Sequence, residues 1–389
     1  MIKLIILYIG TIFLAYLSQR FCPVRHDGIT EERHFMHDRT DIFCVAIIIW
    51  LTLFNGLKVS YNDTGNYIAF FQDSATTLSE HFATSTETGF ADNPLYYITQ
   101  LFSKKIIDNY HVWFLLTSFF NAWIVVKFLK HYSEHFTITI MVYHALGTYL
   151  MYLAAIKQSI AIGILLIAIP YLFRKKWLLY YSLVILAILF HTHSFLFLVL
   201  PFFISKPWGK LTYVCIGIAL FAMATYDNTL GAFMEYAQSI GANVATIEVF
   251  DDMTVSPIRV AVYAIIPLIS LLFKKQIKNK SNIADNLFLN MSILSLLILS
   301  IGLVNGANLF ARMVGYFELG IALSLPWLLN RIFTLRSRQF VYVAAFLCFS
   351  VYFVYDSYMI KDFNHYRAIS VFEFIKSLFS EVSICHQLV

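Results

Sequence analysis

Charge is scarce in this sequence: Asp, Glu, Lys and Arg make up 13% of 389 residues, about half the share in an average soluble domain. Hydrophobic residues make up 59% and the mean hydropathy is +0.69, more apolar surface than a soluble core of this length needs. Cysteine is sparse as well. Cys22, Cys44, Cys215, Cys348 and Cys385 are odd in number, scattered and mostly inside apolar runs. They suggest neither a disulfide framework nor a metal site and read as small hydrophobes. Alternation of polar and apolar residues over about ten positions is missing, which excludes a transmembrane barrel. A Walker loop, a Gly-x-Ser-x-Gly elbow and a dinucleotide fingerprint are missing too. No internal repeat, low-complexity tract or stretch long enough to fold alone as a soluble domain is present.

What the sequence has is a series of apolar runs of the length a helix needs to cross hydrocarbon. They cover residues 2–17, 42–57, 112–129, 136–156, 159–173, 177–190, 194–204, 211–224, 258–273, 286–304, 313–329 and 340–355. The pattern predicts an all-α, polytopic integral membrane protein with about 12 transmembrane helices, a single transmembrane domain over residues 1–389. The first run has only Lys3 before it and no small-residue cleavage site after it, so it reads as an uncleaved span. The run from Ser194 is too short for a full crossing and reads as a re-entrant or tilted element after a break at the histidines.

Sidedness follows from the basic residues. Counted on alternate sides of the runs, 18 of the 28 lysines and arginines fall on one side, in clusters such as 174–176 and 274–280. That side is predicted to be cytoplasmic. Both termini and the long polar segments 58–110, 226–257 and 356–389 then face outward. The segment 226–257 carries Asp227, Glu235, Glu248, Asp251 and Asp252 without a lysine or arginine, and 59–103 carries five carboxylates and no basic residue. Tyr67, Ile68, Phe70 and Phe71 alternate with polar residues in the manner of an outer interfacial helix. The net charge of +5 lies in short clusters between spans, where it fixes topology and does not point to nucleic acid.

Polar residues in or beside apolar runs are expensive and carry functional hypotheses. Lys58, Lys157, Arg259 and Arg312 all fall toward the outer face. Each either snorkels at a helix end or joins a cationic cradle for an anionic headgroup. Asp63, in the turn Asn62-Asp63-Thr64-Gly65, either caps the following helix or accepts a proton or a sugar hydroxyl at the membrane surface. His191 and His193 are too close in sequence to share a helix face as a zinc pair. His191 is either a neutral hydrogen-bonding group at a break or a base or phosphate donor. Glu318 lies inside a predicted span, on a different face of the same helix from Arg312, and reads as structurally paired. Most aromatic residues read as lipid-facing surface and interfacial belt. Tyr61, Tyr67, Tyr96 and Tyr97 accompany the outer polar turn and have rings suited to stacking on a sugar.

In this order the elements resemble the EpsG family of membrane proteins, which belongs with the Wzy-type polymerases of bacterial surface polysaccharides. The resemblance rests on Lys58, Tyr61, Asn62-Asp63-Thr64-Gly65 and Tyr67, then Asn93-Pro94-Leu95-Tyr96, then Lys157-Gln158-Ser159-Ile160-Ala161. It continues with Phe190-His191-Thr192-His193-Ser194 and with Arg312 before Tyr316-Phe317, covering roughly residues 42 to 330. Lys58 and Lys157 stand where the family usually has arginine, and an ammonium does not form a bidentate phosphate pair. Arg312 keeps its fork.

The resemblance implies a GT-C-like glycosyltransferase in the bacterial cytoplasmic (inner) membrane, without a cofactor or metal. It would transfer a growing glycan of an O-antigen, capsule or exopolysaccharide from undecaprenyl diphosphate onto a new lipid-linked repeat unit at the outer face. The partners implied are the undecaprenyl-diphosphate-linked oligosaccharide, membrane lipids, a flippase and a chain-length regulator. The roles that follow are catalytic for Asp63 or His191 and substrate-binding for Arg312, Lys157, Lys58, Tyr61, Tyr67 and Gln158, with the cations and His191 lining one outer cavity. A flippase or transporter of lipid-linked oligosaccharide is the rival from another class; midplane charges and pseudo-symmetric halves, its expected signs, are not seen. A ligase or lipid-sugar glycosyltransferase stays open within the enzyme class.

Overall fold

Hydrocarbon offers no partner to a backbone amide, so each apolar run has to close its hydrogen bonds within a helix. The structure, a computed structural model, describes residues 2–24, 34–73, 93–226 and 253–385. Arg25, Arg33, the carboxylates Glu80, Glu87 and Asp92, and the acidic run from Asp227 to Asp252 lie outside the described residues.

Among the described residues, five helices are long and apolar enough to cross a membrane: Ile2–Phe21, Tyr110–Tyr132, Ile156–Phe173, Ile283–Ile301 and Leu335–Ile360. The number rises to seven if the broken pairs Phe136–Ala145 with Thr148–Ala154 and Ala307–Val314 with Leu319–Ile332 are each one span. Shorter apolar helices are Ile42–Gly56, Trp177–Phe190, Thr192–Ile204, Lys210–Ala224 and Pro257–Leu272. Among the described residues, every apolar run of the sequence therefore has its helical segment, and the protein is an all-α multi-pass membrane protein.

Besides the run 136–156, which bends by 51° between Phe136–Ala145 and Thr148–Ala154, two elements differ from expectation. The segment at the histidines is a 3₁₀ helix, Thr192–Ile204, of 13 residues. At a rise of about 2.0 Å per residue it reaches about 26 Å, where an α-helix of that length would reach about 20 Å. Even so it stays below the roughly 30 Å of the hydrocarbon core, and it belongs with the shorter apolar helices. The second difference lies at 313–329, expected as one span. A short helix, Ala307–Val314, ends at Gly315, and a new helix, Leu319–Ile332, begins at an angle of 57° to it. Arg312 therefore sits in the last turn of the short helix. Glu318 is the residue before the second helix and does not share a helix with Arg312.

The chain forms two compact units that interleave in sequence, one of residues 1–131, 149–198 and 353–389, the other of 132–148 and 199–352. In the first, Asp41 caps Ile42–Gly56 by accepting from the Phe43 and Cys44 N–H groups, both at 3.0 Å. The chain leaves that helix into the strand Lys58–Ser60, which pairs antiparallel with Arg367–Ala368 and holds the late segment against the turn at Asn62. A helix, Thr64–Gln72, stands where one was expected at Tyr67. In the second unit, Leu319–Ile332 packs so closely on Ile283–Ile301 that a Cβ at Gly320 would lie 2.5 Å from the Phe288 carbonyl oxygen. Small residues at such crossings let helix backbones approach where no water is available to drive association.

Candidate functional site

Lys157 is the second residue of Ile156–Phe173, a helix of 18 residues whose N-terminus has no side-chain cap. A lysine there is opposed by the positive end of the helix dipole, and the two together attract an anion. Its half-buried ammonium is 2.7 Å from the Tyr97 hydroxyl oxygen. Three aromatic rings surround it, with centroids 4.3 Å (Tyr97), 5.0 Å (Tyr96) and 5.8 Å (Phe70) away. Phe70 comes from Thr64–Gln72 and the tyrosines from Pro94–Ile106, so two other elements converge on this cation.

Pro-94 starts its helix at the first position, where its missing N–H costs nothing, after Asn93 in the left-handed region at φ 72°. The Asn93 side-chain oxygen accepts from the Thr192 N–H at 3.1 Å. This bond joins the Asn93-Pro94-Leu95-Tyr96 element to the histidine element. His191 ends Trp177–Phe190 in an extended conformation, half-buried, with its ring 5.1 Å from that of His193.

The remaining candidates in this unit lie deeper or on other tasks. Lys58 is fully buried and donates to the Asn55 side-chain oxygen at 2.7 Å and to the Leu153 carbonyl at 2.5 Å. Beyond the end of its helix, burial pushes the Lys58 ammonium down to about 7. Tyr61 is buried; its hydroxyl donates to the Lys361 carbonyl at 3.2 Å and its ring packs 5.6 Å from that of Phe363. Tyr67 is buried with its ring 6.0 Å from Tyr96. Gln158, next to Lys157, is buried as well. Asp63 precedes Thr64–Gln72, is half-buried, and its carboxylate accepts no cap hydrogen bond from that helix. Of the two readings of Asp63, helix capping by its side chain is thereby removed.

The other unit holds Arg312, half-buried, whose Nε donates to the Asn308 side-chain oxygen at 3.3 Å one helical turn earlier. It also holds an arrangement that the sequence only hinted at. The Glu318 carboxylate, 1% exposed, accepts from the Tyr263 hydroxyl at 2.6 Å and from the Thr148 hydroxyl at 2.8 Å. A guanidinium nitrogen of Arg259 lies 3.6 Å from it. Arg259 is itself buried, so it answers Glu318 and does not snorkel. Sequence reasoning named both residues; a carboxylate inside an apolar run was the signal, and Tyr263 and Thr148 gave none. Gln100, mid-helix in Pro94–Ile106, was missed: it is 1% exposed and its amide nitrogen and oxygen have no partner among the described residues.

Comparison with known proteins places one family on the chain. The model described as EpsG family matches residues 41–370. No curated protein and no solved structure matches.

Proposed function

The chain belongs to the EpsG family, a Wzy-like family of polysaccharide polymerases, and from that membership we propose that it polymerises a bacterial surface polysaccharide at the outer face of the cytoplasmic membrane. The reaction moves a growing glycan from undecaprenyl diphosphate onto a new lipid-linked repeat unit. A hydroxyl at the nonreducing end of the acceptor forms a bond to the anomeric carbon of the donor glycan. The bond from that carbon to the phosphate oxygen breaks, the diphosphate leaves with the electron pair, and the hydroxyl proton passes to a base.

The observation that carries this reading is the convergence on Lys157. A cation at the positive end of a long helix, walled by Tyr96, Tyr97 and Phe70, suits a diphosphate with a sugar beside it. Charge grows on the diphosphate as the bond breaks, and one positioned donor is worth about 2.7–4 kcal/mol in a water-excluded site. For Arg312, in the other unit, the family resemblance implies a phosphate-binding role. Asp63 and His191 are the candidates for the base, a role worth about 10² to 10⁴ in rate. Lys58 supports the outer turn from below, since both of its described bonds go to protein oxygens. The proposal includes 12 crossings, with the helix starts at Lys157 and the break at His191 on the outer side.

The test is a deletion strain carrying the chain on a plasmid. Loss of long-chain polymer, with single lipid-linked repeats accumulating at the outer face, is the expected phenotype of the deletion. Repeats trapped at the inner face would overturn polymerisation in favour of a flippase.

A further inference from the structure

In the unit of residues 132–148 and 199–352, the ends of the helices away from Arg259 and Glu318 enclose a cavity of about 210 Å³. Its lining includes Lys206, Trp208, Gly209, Lys274, Lys278 and Trp327, and no carboxylate. Lys274 is fixed there by donating to the Trp208 carbonyl at 2.9 Å, while Lys206 and Lys278 are exposed. The two indoles differ in a telling way. Trp208 Nε1–H donates to the Ser270 hydroxyl at 2.9 Å. Trp327 is 3% exposed and its Nε1–H has no acceptor among the described residues. A buried donor left unmet is destabilising unless a ligand or water supplies the acceptor. Gly209 is the residue before Lys210–Ala224, a helix of 15 residues with no side-chain cap, so the unmet N–H groups and positive end of that helix adjoin the same space.

Cations, an unmet N–H donor and a helix N-terminus all ask for an anion with several acceptor oxygens. The flank supplies the rest of the ligand's character. Leu272 is 79% and Phe202 66% exposed, within a turn or two of Lys274 and Lys206, as side chains facing acyl chains would be. We propose that this cavity binds the phosphate of an anionic phospholipid headgroup, with the acyl chains lying along Phe202 and Leu272. Inorganic phosphate offers the same oxygens without the chains. The site belongs to the lysine-rich side of the chain and is independent of the polymerase reaction.

The test uses the full chain, purified in mild detergent and stripped of lipid, with binding read by native mass spectrometry. The probes are phosphatidylglycerol and phosphatidylcholine of the same acyl length, with inorganic phosphate as competitor. Phosphatidylglycerol should bind in preference, and the pair Lys206→Gln with Lys278→Gln should weaken it about tenfold or more while leaving phosphatidylcholine unchanged. Trp327→Phe, which keeps an aromatic ring, smaller than the indole, and removes the donor, should weaken it too, and it serves as the second variant if the lysine pair lowers abundance. Displacement by millimolar phosphate assigns the site to the phosphate group alone; retention assigns it to the whole lipid. Equal phosphatidylglycerol binding by wild type and the lysine pair would overturn the proposal. So would a loss in the lysine pair with none in Trp327→Phe, which would mean attraction to surface lysines and no site in the cavity.

Discussion

The Lys157 ammonium and the Tyr97 hydroxyl oxygen are 2.7 Å apart, with the Tyr97 ring centroid 4.3 Å from the same nitrogen. One side chain thus holds the cation in two ways. Lys157→Met should reduce long-chain polymer about 100-fold, the scale of losing one positioned donor in a dry site. Tyr97→Phe keeps the ring and loses the hydroxyl, and should cost less than about tenfold. Polymer yield on gels, normalised to membrane abundance, decides it; a harmless Lys157→Met would remove the residue from the reaction.

Arg312 separates shape from charge. A guanidinium grips a phosphate through two parallel hydrogen bonds, which an ammonium does not copy. Arg312→Lys should keep abundance and strongly shorten the polymer, and Arg312→Ala should be worse. If the residue only anchors the end of Ala307–Val314, lysine would serve equally and chain length would stay at wild type.

Breaking the Arg259–Glu318 pair leaves a buried charge without its counterpart. Glu318→Gln or Arg259→Met alone should destabilise by about 3–5 kcal/mol, read as detergent melting at matched concentration. The double variant should recover a good part of that loss, because the two changes are coupled. Additive losses would show that the pair is not an energetic unit.

Lys58 gives a pH signature. Burial holds its folded pKa at about 7, while an unfolded lysine titrates near 10.4. Between these values the unfolded chain binds the proton and the folded chain does not, so the stability it contributes rises with pH across that window. Below about pH 7 its penalty is complete. The melting difference between wild type and Lys58→Met should therefore narrow or reverse in favour of wild type from pH 7 to 10. A difference flat across that range would place the ammonium in water or in a fully compensating set of acceptors.

Topology has its own check. From the division of basic residues, 18 of 28 on one side, residue 389 is predicted to lie outside. A reporter fused after Val389 that works only outside the cytoplasm should be active, and a cytoplasm-only reporter silent; the reverse pattern would overturn the orientation.

By itself the sequence determined the membrane class, the number of apolar segments and the order of the family's elements. These depend on local quantities: a helix in hydrocarbon must satisfy its own backbone, and its length and apolarity are written in consecutive residues. The turn at Asn62-Asp63, the helix start at Lys157 and the break at His191 were legible for the same reason. What the residues at those positions touch was decided only in three dimensions. Tyr61 and Tyr97 carry the same side chain and were both expected beside the turn at Asn62-Asp63, yet Tyr61 packs on Phe363 and Tyr97 holds Lys157. Glu318 finds Thr148, 170 residues away, and Tyr263, 55 residues away. Arg312 left its expected helix because the chain bends by 57° after Gly315. Partners so distant in sequence are chosen by packing, which has no period along the chain, and a buried polar group takes whichever acceptor or donor the fold brings to it.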